Sequence, residues 1–209
     1  MAEIKVGCLV MGVLDTNTYF LHKDGEFDCI IIDPACDGEM LVTKLREKGL
    51  TIKAVILTHA HFDHIMGVEG ILKLNKVPVY GGKKDVPVFL DPELNQGYRI
   101  RKNVSVKIDK ELSEGDVVDI CGMKFRVYET PGHTAGGICL HFEKDKLLFS
   151  GDTLFMESCG RTDFQTGSAG EMRESIARLL ELPEDTMVYP GHGEFTTIGH
   201  EKKYNPYAF

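Results

Sequence analysis

Short apolar runs separated by turn residues recur along the chain and predict strands over 17–21, 29–32, 54–57, 77–80, 104–108, 117–120, 124–128, 138–142, 146–149 and 186–189. They are rich in Val, Ile, Phe and Tyr, the residues that suit a pleated, half-buried surface. Helical periodicity predicts helices over 38–48, stopped by Gly49, and near 65–75. The clearest helix spans 169–181. Ser168 and Glu171 have the capping-box spacing, Met172, Ile176, Leu179 and Leu180 form the apolar stripe, and Pro183 ends it. The stretch 115–149 reads as consecutive strands, while both flanks mix strand and helix. A doubly wound parallel sheet fits poorly, and two sheets with helices outside fit better. The irregular segment 81–102 reads as a surface excursion in preference to a lid.

The 209 residues suit a single domain over 1–209, with 43% apolar residues to build its core. Acidic residues outnumber basic ones by 32 to 24, and a formal charge of −8 repels nucleic acid and anionic lipid. No apolar run is long enough for a membrane span, and no basic, cleavable leader is visible, so the expected location is the cytoplasm. The six cysteines are scattered with no C-x-x-C pair and are expected to be reduced, mainly buried thiols.

The chemistry is carried by Thr58-His59-Ala60-His61-Phe62-Asp63-His64, which follows an apolar run. On extended backbone His59 and His61 project to one side and reach one cation, while Asp63 and His64, where the chain turns toward a helix, face a neighbouring point. That spacing suits two metals better than one. Three further apolar runs end in small residues and then a ligand type: Thr130-Pro131-Gly132-His133, Ser150-Gly151-Asp152 and Tyr189-Pro190-Gly191-His192. If these strand ends share one edge of the fold, all seven side chains meet in one pocket. His22, His141 and His200 lack this context and read as ordinary histidines. Asp33, Thr58 and Thr134 are candidates for holding the ligand histidines in place.

The string His59-x-His61-x-Asp63-His64 with His133, Asp152 and His192 resembles the metallo-β-lactamase superfamily over nearly the whole chain. The resemblance implies an α/β (α+β) fold, a four-layer αββα sandwich of two mixed β-sheets flanked by helices. It also implies that His59, His61 and His133 hold one divalent metal ion, that Asp63, His64 and His192 hold a second, and that Asp152 bridges them. Zinc is the expected metal, and iron or manganese also suits these donors. Within the superfamily, the segments 150–155, 160–164 and 189–199 are similar to glyoxalase II (hydroxyacylglutathione hydrolase) and its small bacterial relatives. Only a short tail follows His192, so the helical glutathione-binding domain of the larger glyoxalase II enzymes is not expected.

Two cations about 3.5–4 Å apart share a water whose pKa falls from 15.7 to roughly 7, which supplies a bridging hydroxide nucleophile at neutral pH. Asp63, beside that water, orients it or accepts its proton. The expected reaction is hydrolysis of a small-molecule thioester, because a thiol of pKa about 8.5 leaves without protonation whereas an amide nitrogen needs an acid. The segment 159–165 also resembles the persulfide dioxygenases, in which the equivalents of His59, His133 and Asp152 hold a single iron. A non-catalytic metal-binding protein is a third reading. Arg161 and Asp163 read either as an ion pair fixing their loop or, for Arg161, as a contact to a substrate carboxylate.

Overall fold

The computed structural model describes residues 2–208. Strands β1 (Ile4–Met11), β2 (Thr16–Lys23) and β3 (Asp28–Ile32) form an antiparallel series. Helix α1 (Gly38–Glu47) crosses to β4 (Thr51–Leu57), parallel to β3. Helices α2 (Phe62–Ile65) and α3 (Val68–Leu74) lead to β5 (Val79–Gly82), parallel to β4. After α4 (Val86–Leu90), strand β6 (Lys110–Leu112) closes a six-stranded sheet in the order β1-β2-β3-β4-β5-β6.

The second sheet begins with an antiparallel series, β7 (Val117–Ile120), β8 (Met123–Glu129), β9 (Ile138–Phe142) and β10 (Leu147–Gly151). A small hairpin, β11 (Leu154–Phe155) and β12 (Ser158–Cys159), and helix α5 (Ala169–Leu179) precede β13 (Met187–Pro190), which lies parallel to β10. Strand β14 (Thr196–Thr197) and helix α6 (Ile198–Tyr204) follow, and the order is β14-β13-β10-β9-β8-β7.

Period-two alternation generates the layers. On β3, Ile30 and Ile32 face the other sheet while Cys29 and Ile31 face the helices; on β4, Ala54 and Ile56 divide from Val55 and Leu57 in the same way. In the second sheet Ile138, Leu140, Phe142 and Phe149 meet them from across the sandwich, and Cys139 and Leu148 pack outward on Met172, Ile176 and Leu179 of α5. Both faces of the central strands are buried, which is why these runs read as continuous apolar segments. The result is the αββα sandwich.

Several expectations need correction. The segment 104–108 is not a strand: Val106 N donates to Phe89 O beside α4, and Val106 fills the outer core, so the V-x-V-x-I alternation reflects one packed edge with no ladder partner. The register strand is Lys110–Leu112 instead. The helix expected near 65–75 is two pieces, broken where Gly67 N donates to Pro34 O at 2.7 Å. Strand β1 and helix α6 were not expected. Only Cys29 and Cys139 are buried; Cys121 is exposed on a turn of positive φ, and all six thiols are unpaired. Among the described residues no helix is long and apolar enough to cross a membrane.

Candidate active site

Each element that delivers a donor stops at the same edge of the sandwich. His59 and His61 follow β4, and Asp63 and His64 lie in α2. His133 follows β8, Asp152 follows β10 and His192 follows β13. The Pro-Gly-His turns are tight for steric reasons. At Gly191, whose backbone carries His192, a Cβ would fall on the Asp152 carboxylate and 2.8 Å from His64 Cε1. At Gly132, with φ +142, it would fall on the Met172 backbone.

The seven side chains expected as ligands converge. Donor atoms of His59, His61 and His133 form one group lying within 4.8 Å of one another, and those of Asp63, His64 and His192 form another. His61 Nδ1 is 2.8 Å from His133 Nε2, and His64 Nε2 is 3.3 Å from His192 Nε2. Asp152 lies between the groups: Oδ2 is 3.3 Å from His133 Nε2 and 3.5 Å from His192 Nε2, and Oδ1 is 3.4 Å from His64 Nε2. His22, His141 and His200 stand outside this cluster.

The protonation pattern fits cations. His133 Nδ1 is 2.7 Å from the Arg161 carbonyl and His192 Nδ1 is 3.0 Å from the Leu14 carbonyl. A carbonyl can only accept, so both Nδ1 atoms carry hydrogen, and in the neutral ring each Nε2 then carries the lone pair that faces the centre. His64 Nδ1 donates to Asp33 Oδ2 at 2.9 Å, and the same carboxylate accepts from Thr58 Oγ1 at 2.6 Å. Thr58 Oγ1 in turn sits 3.2 Å from His59 Nδ1. His59 Nε2 and Asp152 Oδ1 are buried with no hydrogen-bond partner, an arrangement that costs free energy unless a cation satisfies it.

Burial holds His59 well below the ordinary imidazole value and brings His61 down to about 3, helped by the neighbouring His133 ring. Burial opposes ionisation of Asp63 and Asp152, but His64 foremost among the surrounding imidazoles outweighs it, and both stay below the usual carboxylate range. Asp63 is further fixed by Thr16 Oγ1 at 3.0 Å.

Asp33 and Thr58 thus contact His64 and His59 of the donor cluster, whereas Thr134 contacts none of its histidines. Thr134 Oγ1 donates to Asp85 Oδ2 at 2.7 Å. Asp85 also accepts from Gly136 N at 2.7 Å and from Ala60 N at 3.1 Å, and so ties the loop of His59 and His61 to the loop of His133. Segment 81–102 is therefore more than a surface excursion, since Asp85 and Asn95 are fully buried. A single aspartate after Lys-Lys gave no sequence signal of this, and Thr16, the first residue of β2, gave none either. Arg161 and Asp163 form a bidentate pair at 2.6 and 2.6 Å, which supports the loop-fixing reading. Beside the donors opens a cavity of about 360 Å³, walled by Leu14, Phe62, Phe155, Phe164 and Arg99 among others.

A model of the metallo-β-lactamase superfamily matches residues 11–192, and the chain belongs to that superfamily. Within it the chain is 36% identical over 200 residues to the probable metallo-hydrolase YqgX of Bacillus subtilis, covering 94% of each chain. It is 35% identical over 188 residues to the hydroxyacylglutathione hydrolase GloC of Haemophilus influenzae, covering 88% of this chain and 89% of that one. Among solved structures it is similar to the BLEG-1 B3 metallo-β-lactamase (TM-score 0.92, 38% identity, 98% and 99% covered). It is also similar to TTHA1623 in a di-iron-bound form (0.83, 32%, 96% and 99%) and to ETHE1 from Myxococcus xanthus (0.80, 29%, 97% and 83%).

Proposed function

We propose that this protein hydrolyses small-molecule thioesters with two divalent metal ions, zinc by preference, one held by His59, His61 and His133, the other by Asp63, His64 and His192, with Asp152 shared. The observation that carries this reading is the placement of Asp152 within 3.5 Å of donors from both histidine groups. The cations, when bound, polarise the thioester carbonyl and lower the pKa of water toward 7. Asp63, held by Thr16 and kept ionised, accepts the proton of the attacking water. Leu14, Phe155 and Phe164 give the cavity beside the donors apolar walls for the substrate's arms.

The leaving group separates this reading from lactam cleavage, which the likeness to BLEG-1 brings forward. Asp63 and Asp152 are the carboxyls that line the cavity, and both belong to the donor set, so no carboxyl there is dedicated to protonating an amide nitrogen. A thiolate needs no such acid. The identity to GloC supports a hydroxyacyl-thiol of the glutathione type. Six unpaired thiols suit a reducing, cytoplasmic setting.

The test is a parallel assay of purified, metal-loaded protein. Thiol release from S-lactoylglutathione well above that from buffer, with little turnover of a cephalosporin, supports the proposal. Oxygen uptake with glutathione persulfide, with no thiol release from S-lactoylglutathione, would assign the single-iron dioxygenase reading instead.

A further inference from the structure

The cavity beside the donors has a neighbour at Phe164. A second cavity of about 470 Å³, lined by Glu93, Tyr98 and Asp163 among others, shares Gln96, Arg99 and Phe164 with the first. The two cavities adjoin at these three side chains, one beside the donor set and the other beside Tyr98.

Arg99 stands at the junction. Its guanidinium carbon lies 5.4 Å from the centre of the Phe164 ring, and that ring lies 4.6 Å from His61 and 5.3 Å from His133. Among the described residues Arg99 has no carboxylate partner within ion-pair distance; its side chain makes a 3.5 Å contact from Nε to Tyr98 Oη. The other guanidinium on this wall, Arg161, is 4.6 Å from the same ring but is held in a fork by both oxygens of Asp163. Arg99 is therefore the cation left to meet a ligand.

The turn that carries it is built to hold that position. Gln96 (φ 65) and Arg101 (φ 55) bracket residues 97–100 in the left-handed region, which is costly for residues other than glycine and persists where surrounding structure imposes it. Asn95 imposes it: Oδ1 accepts from Gly97 N at 2.9 Å and Nδ2 donates to Val104 O at 2.8 Å.

We propose that Arg99 binds a substrate carboxylate, so that the enzyme selects thioesters carrying a carboxylate on one arm. This inference rests on the thioester reading of the same pocket. A planar guanidinium fork matches a carboxylate or a phosphate. Glu93 lines the same cavity, and a single cation beside it suits one negative charge better than the two of a phosphate monoester.

The experiment compares wild-type protein with Arg99→Met and Arg99→Lys on three thioesters. S-lactoylglutathione has carboxylates on the thiol arm, S-succinyl-N-acetylcysteamine has one on the acyl arm, and S-lactoyl-N-acetylcysteamine has none. For Arg99→Met, kcat/KM falls about tenfold on a carboxylate-bearing thioester, the size of one partly exposed charge-assisted hydrogen bond, mainly through KM, and less than threefold on the neutral one. Arg99→Lys falls between. Whichever carboxylate thioester takes the loss identifies the arm, and an equal loss on all three overturns the proposal. Calorimetric binding of S-methylglutathione reads recognition without turnover. Arg99→Met weakens it about tenfold, leaving its dimethyl ester as it was, if the thiol arm carries the carboxylate; monomethyl succinate takes the loss instead if the acyl arm does, and unchanged affinity for both overturns the inference. If the wild type cleaves no thioester, the reading of the reaction fails on its own and the binding comparison still decides the role of Arg99.

Discussion

Asp63 touches the second donor group at two points, with Oδ2 3.4 Å from His64 Nε2 and 3.3 Å from His192 Nε2, and it is also the proposed base. Asp63→Ala is therefore expected to leave about one metal ion per chain and to lower turnover about 100-fold or more, read by elemental analysis and thiol release. Full activity with one metal would contradict a two-metal site. Asp85 makes a different prediction. Burial raises its carboxyl from 3.8 to about 6, against the hydrogen bonds from Thr134, Gly136 and Ala60 that favour the ionised form. The folded state thus binds this proton more tightly than the unfolded chain. Its contribution to stability is complete below pH 3.8 and is lost as pH rises through about 6. Asp85→Asn removes that titration and leaves a backbone N–H facing a donor, at about 1–3 kcal/mol. Urea unfolding should show the wild type's advantage over Asp85→Asn shrinking between pH 4 and 7, and a constant difference would refute the assignment. The donor set was legible because three histidines and an aspartate in six positions have no packing reason to occur after a buried strand. Asp85 and Arg99 were not, since a carboxylate or guanidinium in a polar loop looks the same in sequence whether it points inward or to solvent.

At the scale of elements, the two Pro-Gly-His turns bring a strand end back toward the metal edge. Gly191→Ala places a methyl on Asp152 and near His64, so the strand end must move away from the donors. The expected result is loss of the second metal and a stability cost of about 1–3 kcal/mol. Circular-dichroism melts with elemental analysis check both, and an unchanged metal content would show that the turn has slack. The helix over 169–181 was readable because its signals are local: Ser168 Oγ accepts from Glu171 N at 3.3 Å, as the capping spacing requires. Helix α6 was hidden because it is seven residues long and tethered by a distant partner. Buried Glu201 accepts from Thr196 Oγ1 at 2.6 Å and from Glu157 N at 2.9 Å, contacts that no local pattern announces. Strand β1 was obscured by Gly7, whose open space is filled by the Phe20 ring of β2 across the ladder.

On the scale of the whole molecule, the donor set joins two separately built halves. His59, His61, Asp63 and His64 come from the first sheet's connections, and His133, Asp152 and His192 from the second's. Cations bound between them would link the sheets at one edge, where the protein otherwise places polar groups face to face. The layered fold could be anticipated from continuous apolar runs in the centre and mixed flanks. The edge at which the strands terminate together could not, because only the register of the sheets brings residues 59, 133, 152 and 192 to one level. Metal analysis of the purified chain, reconstituted with zinc and dialysed, with its melting temperature before and after chelation, tests that convergence most directly. Two ions per chain and a melting temperature that falls by several degrees on chelation and returns on readdition are the predicted result. One ion or none after reconstitution, with a melt indifferent to chelator, would contradict it.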